Sequence, residues 1–220
     1  MATAYDVIVR GARWFDGTGA PSAVRDLGIA GGRVVAISAT ALPDGGCPQV
    51  IEASGQWVVP GFVDIHTHYD AEVLGAPGLG ESVRHGVTTV VFGSCSLGTV
   101  HCEIEDAADM FSRVEAVPHE HVLRVLNDTK TWSNAAEYIQ ALENLPLGPN
   151  VTTFLGHSDA RAAVMGLDRS TQRSVRPSRS EMQQMESMLE KALAAGFIGL
   201  SEQRNPWDKL DGDRFRSRTL

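Results

Sequence analysis

The apolar pattern of this chain changes once, at Pro60-Gly61, and that change limits the folds open to it. Upstream, short β-branched runs are cut by glycine turns. "YDVIVRG" alternates apolar and polar residues, "DLGIAGGRVVAIS" is two runs across Gly31-Gly32, and "QVIEASGQWVVP" repeats the pattern. Gly-Gly between such runs supplies the positive φ values that a two-residue hairpin needs. No helical period occurs here, so residues 1–59 are expected to form a small β-sandwich segment. Downstream, strands alternate with helices, the pattern of βα units around a parallel sheet.

Within that second region "GFVDIH" and "GVTTVVFGSC" are the first two expected strands, "EDAADMFSRVEAV" a helix, and "HVLRVLN" (121–127) a short strand. In "SNAAEYIQALENL", Ala135, Ile139, Leu142 and Leu145 share one face at spacings of three and four, and Pro146 and Gly148 end the helix. "NVTTFLGH" reads as a further strand. Residues 179–195 carry the best-marked helix. Ser178 to Glu181 fits a capping box, Met182, Met185, Leu189, Ala192 and Leu193 form an apolar stripe, and Gly196 sits at the C-terminal cap. "GFIGLS" is the strand expected next. This makes about four βα units, whereas a closed parallel barrel has eight strands. The expected class is α/β: residues 60–220 as the N-terminal half of a TIM-like (β/α)8 barrel, preceded by the β-sandwich segment.

Composition narrows the function classes. The net charge of −8 is spread along the chain, with no cluster of Lys and Arg of the kind nucleic acid requires. No run of about 18 apolar residues suggests a membrane span, and the N-terminus lacks the basic segment and apolar core of a signal peptide. Cys47, Cys95 and Cys102 contain no C-x-x-C pair and are too few for a disulfide framework. The expected compartment is cytoplasmic, with reduced thiols.

The chemistry concentrates in "VVPGFVDIHTHYDAE" (58–72). Alternate strand residues point the same way, so Asp64, His66 and His68 share a face if the strand runs that far. Two imidazoles roughly 6.5 Å apart at the backbone can converge on one zinc ion, at the end of a strand where a barrel keeps its active-site loops. The pair alone leaves two readings open: metal binding, or capping of backbone groups. Cys95, in the turn "GSCSLG" after the next strand, could lie beside the histidines as a thiolate ligand, or be a small buried residue. His157 could reach the same mouth or cap a strand. His85 suits a helix end, Asp70 either orients a histidine or begins a helix, and His101, His119 and His121 have too little context to place.

These residues carry a family resemblance. Pro-Gly-Phe-x-Asp-x-His-x-His after a β segment resembles the signature of the amidohydrolase superfamily. "HGVTTVVFGSCSLG", "FLGHSDARAAVMG" and "GFIGLSEQRNPW" resemble segments of its N-acyl-D-amino-acid deacylases (D-aminoacylases). The resemblance implies a zinc-dependent hydrolase of N-acyl-D-amino acids, with His66, His68 and Cys95 as ligands of one or two Zn2+. Cys95 would stand where many relatives have a carboxylated lysine. The resemblance further implies that the remaining histidine ligands and a catalytic aspartate come from later strands, beyond Leu220. On this reading the partner is a small N-acyl amino acid, with no role for nucleic acid or membrane. A complementary chain or second copy would cover the open sheet edge. Nearby alternatives are a hydantoinase, dihydroorotase or isoaspartyl dipeptidase, or a non-catalytic fragment. A metallo-β-lactamase-like H-x-H-x-D-H motif is disfavoured, because Ala71 stands at its last histidine.

Overall fold

In the computed structural model, which describes residues 5–114, 117–203, 209–210, 214–215 and 218, the hairpin at Gly31-Gly32 is formed. Its glycines adopt φ of 57° and 71°, the left-handed region that costs glycine little. The hairpin belongs to the first of two compact units, Met1–Gly61 and Phe62–Leu220. The first unit contains β1 (Val7–Trp14), β2 (Ala23–Ala30), β3 (Arg33–Ser38), β4 (Gln49–Glu52) and β5 (Trp57–Val58). They form one mixed sheet in the order β3-β2-β1-β4, with β5 also on β1. β1–β2 and β2–β3 are antiparallel, while β4 and β5 run parallel to β1. Among the described residues this is one layer of the expected sandwich, not two facing sheets. Its core is small, built on Ile8, Ala12, Leu27 and Ala53.

The second unit alternates strands and helices as expected. Its elements are β6 (Phe62–Asp64), α1 (Glu72–Gly75), α2 (Gly80–Arg84), β7 (Val87–Phe92), α3 (Ile104–Val114), α4 (His119–Thr129) and α5 (Ala135–Glu143). They continue with β8 (Asn150–Thr153), β9 (Leu155–Gly156), α6 (His157–Met165), α7 (Leu167–Ser170), α8 (Arg179–Ala194) and β10 (Leu200–Ser201). β6, β7 and β8 pair in parallel with β7 in the middle, and β9 pairs in parallel with β10. Parallel strands of this kind need both faces covered. Val90, Phe92, Leu155, Tyr138, Leu142 and Phe197 supply one core, and Met110, Phe111, Val122, Leu126 and Leu97 a second.

Four sequence expectations need correction. Residues 121–127 are helical, inside α4: Val122 and Leu126, four apart, are its buried positions, and that spacing outweighs the local β propensity. The "NVTTFLGH" run is two strands broken at Phe154: up to Thr153 it pairs with β7, and from Leu155, whose N–H donates to the Gly199 carbonyl at 2.9 Å, it pairs with β10. "GFIGLS" is strand only at Leu200–Ser201. The α8 stripe is partial, since Met182 and Leu193 are 47% and 48% exposed while Ala192 is buried. Glu115 and Ala116 of the expected "EDAADMFSRVEAV" helix, and Arg204 to Trp207, lie outside the described residues.

The start of α8 is built as the sequence reads. The Ser178 hydroxyl accepts from Glu181 N–H at 3.2 Å, and the Glu181 carboxylate accepts from Ser178 N–H at 2.7 Å and from Arg169 at 2.5 Å. The Arg169 guanidinium, with the Ser178 N–H, holds the Glu181 carboxyl down at about 2 against an ordinary 4.5. A depressed carboxylate stabilises the fold fully above its unfolded value and loses that contribution as the pH falls through its folded value. Ser178→Ala should therefore lower the unfolding free energy by about 1 kcal/mol at neutral pH. Urea denaturation checks this, and in the same assay the difference between wild type and Glu181→Gln should shrink as the pH falls from 4.5 towards 2.

Candidate metal centre

β6 stops at Asp64, two residues before the first histidine of interest. The strand-like alternation nonetheless continues through Thr67. Its N–H and hydroxyl both donate to the Val91 carbonyl, at 3.1 and 2.7 Å, which ties the segment to β7 and buries Thr67. With Thr67 drawn inward, His66 and His68 project elsewhere together, and their rings meet edge to face with centroids 5.3 Å apart. The Asp64 carboxylate accepts from His66 N–H at 3.2 Å and so steadies the turn.

Cys95 comes to the same place from the end of β7. His66 Nε2 lies 2.9 Å from Cys95 Sγ, and one ligand atom from each of His66, His68 and Cys95 lies within 4.8 Å of the others. Two imidazole nitrogens and a thiol are donors suited to zinc, and their convergence fits the ion. Among the described residues no other group of three such side chains does the same.

The loop that presents Cys95 is strained and strapped. Cys95 and Ser96 have φ of 53° and 67°, conformations that cost a non-glycine residue energy. Holding them are Ser201, whose hydroxyl donates to the Gly93 carbonyl and accepts from Ser96 N–H at 3.0 Å, and Ser158, whose N–H donates to the Ser96 carbonyl at 2.8 Å. Two glycines make the close packing possible. A Cβ on Gly93 would sit 2.1 Å from the Phe154 carbonyl oxygen, and one on Gly156 would sit 2.0 Å from that of Leu97. Both obstacles are backbone, so neither can move aside cheaply.

Two buried carboxylates complete the support. Asp70 is 1% exposed and accepts from Gly93 N–H at 3.2 Å, which places it behind the cysteine loop. Burial pushes its pKa up to about 7, while the Gly93 N–H pulls the other way. Asp159, fully buried, accepts from His101 N–H at 3.1 Å and Cys102 N–H at 2.9 Å. Lys130 Nζ donates to the carbonyls of Thr99 and Cys102, both at 2.8 Å. Lys130 is thus spent on holding the loop.

The remaining histidines are not part of this trio. His157 begins α6, His85 caps α2, and His119 pairs with Asp109 at 2.9 Å. His121 lines an apolar cavity of about 510 Å³ together with His68, Tyr69, Phe111 and Val122. Cys102 is buried, and burial pushes its thiol well above the ordinary value. Sequence reasoning missed Ser158, Asp159 and Ser201, because each acts on backbone from a distant part of the chain.

No family model matches the chain. An uncharacterized protein of Mycobacterium tuberculosis is 61% identical over 216 residues, which is 98% of this chain and 35% of that protein. An N-acyl-D-glutamate deacylase of Alcaligenes xylosoxydans xylosoxydans is 33% identical over 91% of this chain and 38% of its own length. Among solved structures, the N-acyl-D-glutamate deacylase of Bordetella bronchiseptica, complexed with zinc and a phosphonate inhibitor, superposes with a TM-score of 0.74 at 31% identity, covering 91% of this chain and 38% of that one. A D-aminoacylase with a binuclear metal centre gives 0.71 at 30% identity, over 90% and 38%. The chain spans little more than a third of the length of the curated relatives it matches. By sequence and by fold, this chain is related to the N-acyl-D-amino-acid deacylases of the amidohydrolase superfamily and corresponds to their N-terminal part.

Proposed function

We propose that the chain carries the metal-binding part of a zinc-dependent hydrolase that cleaves the amide C–N bond of N-acyl-D-amino acids. The observation that carries this reading is the convergence of His66, His68 and Cys95 donors within 4.8 Å. In this proposal His66 and His68 bind through neutral imidazole nitrogens and Cys95 through its thiolate, with one or two ions held. Bound zinc supplies a Lewis acid that polarises a carbonyl and lowers the pKa of a water towards about 7. Thr67, Asp70 and the Ser158–Ser201 straps keep the donors in place before any ion arrives. The apolar cavity beside His68 is the proposed berth for the acyl group or side chain, where it excludes water.

The general-base carboxylate is assigned to the part of the relatives' length that this chain does not span. Phe62 and Val63 of the edge strand β6, with Ile65 just beyond it, are 61%, 56% and 72% exposed, and support a further segment, a second copy or a complementary chain covering that edge. No helix among the described residues is long and apolar enough to cross a membrane. A cytoplasmic setting suits the three free thiols.

Purified protein should bind zinc at about one ion or more per chain, measured by elemental mass spectrometry. His66→Ala and Cys95→Ser should each weaken binding by about tenfold or more, with zinc shielding Cys95 from a thiol reagent in wild type. A wild-type chain that stays metal-free, or a Cys95 labelled equally with and without zinc, would sink the site. A polypeptide that includes the remaining barrel should then hydrolyse N-acetyl-D-amino acids and spare the L-forms. Ser201→Ala tests the strap: zinc affinity by chelator competition should drop by roughly 10- to 100-fold, while the far-ultraviolet circular dichroism spectrum stays unchanged.

A further inference from the structure

Two clefts of the second unit differ in chemistry. One, of about 1270 Å³, runs beside Ser158 and is walled mostly by arginines and other polar side chains. The other, of about 510 Å³, adjoins the candidate metal centre, because His68 is part of its wall. Its floor is apolar. Phe111 and Val122, 3% and 2% exposed, belong to the second core, and Ala71 and Val125 pack against that core. Tyr69 packs against the first core, with its hydroxyl engaged by Ser82 at 3.0 Å. Glu72, His121 and Arg124 also line the cavity, and all three are exposed. An apolar floor under a polar rim is the character of a ligand groove.

Size and position together narrow the ligand. At roughly 30 Å³ for a water-sized group, the cavity takes on the order of fifteen non-hydrogen atoms, far more than an acetyl group has. In an amide the carbonyl carbon carries the acyl chain directly. The amino-acid side chain is further off, separated from that carbon by the nitrogen and the α-carbon. A carbonyl held at the His66–His68–Cys95 centre therefore has its acyl chain beside this cavity.

We propose that this cavity is an acyl-chain subsite for straight chains of about six to ten carbons, so that amides of medium-chain acids are preferred to N-acetyl compounds, a reading that rests on the deacylase function proposed above. Each methylene that enters leaves water for apolar contact with the floor, and the gain scales with the apolar area removed from water. The subsite can be closed from within the fold. Gly75, at the end of α1, lines the cavity, and a Cβ there would meet Val125 Cγ2 at 3.5 Å, an ordinary contact. A larger side chain at Gly75 would occupy the space meant for the chain.

The test is calorimetric titration of the zinc-loaded protein with acetate, butyrate, hexanoate and octanoate, the acids that hydrolysis would release and that undergo no turnover. Each added methylene should tighten binding about three- to fourfold until the cavity is full. Gly75→Leu should cut the gain from acetate to octanoate by about tenfold or more, with the cooperative thermal melt retained. Val125→Trp is the second variant, expected to act in the same direction. Equal affinity of wild type for acetate and octanoate overturns the proposal. So does a gain with chain length that survives in both filled variants. The same series on metal-free protein separates the two readings. If the gain persists there and zinc tightens none of the four acids, the zinc-hydrolase reading falls and the apolar subsite remains. If zinc tightens acetate while affinity does not rise with length, the acyl-chain reading falls alone.

Discussion

Everything at the candidate centre depends on how the backbone from Gly93 to Cys102 is held. The loop leaves the central strand β7, doubles back through two left-handed residues, and returns along α6. Such a path exposes backbone groups that a sheet would otherwise pair, and buried backbone groups need partners. Asp70, Asp159 and the Ser201 hydroxyl accept from its N–H groups, while Ser158, Ser201, Lys130 and the Trp132 indole donate to its carbonyls. Buried carboxylates are costly unless they are bonded in this way. Here they are, and the Cys95 thiol lies within hydrogen-bond distance of His66.

That arrangement links the two clefts of the second unit. One opens beside His68 and is walled by Tyr69, Phe111 and Val122, the other beside Ser158 and is walled by arginines. Ser158, on the wall of the second, also bonds Ser96 in the loop from Gly93 to Cys102.

Much of this was legible from the residues, for reasons that differ by element. The Gly31-Gly32 hairpin and the Ser178–Glu181 box are local, so a few adjacent side chains decide them. The His66–Cys95 approach was legible only because both follow strands that pair side by side, β6 with β7. What stayed hidden was non-local. Ser201 reaches Gly93 across more than a hundred residues of sequence, and Asp159 reaches Cys102 across nearly sixty. No spacing rule connects such pairs. The α4 segment failed for the opposite reason: its β-branched run is short enough to suit a strand, and only packing against α3 selects the helix.

The left-handed Cys95 has one further implication. Glycine would occupy that conformation without penalty, whereas a non-glycine residue held there costs of order 1–3 kcal/mol. Selection for stability alone would put glycine at position 95. A cysteine there means that the fold gives up part of a margin of only about 5–15 kcal/mol to keep a sulfur at that point in space. Directed evolution for heat resistance should therefore discard this residue readily, and selection for function should restore it.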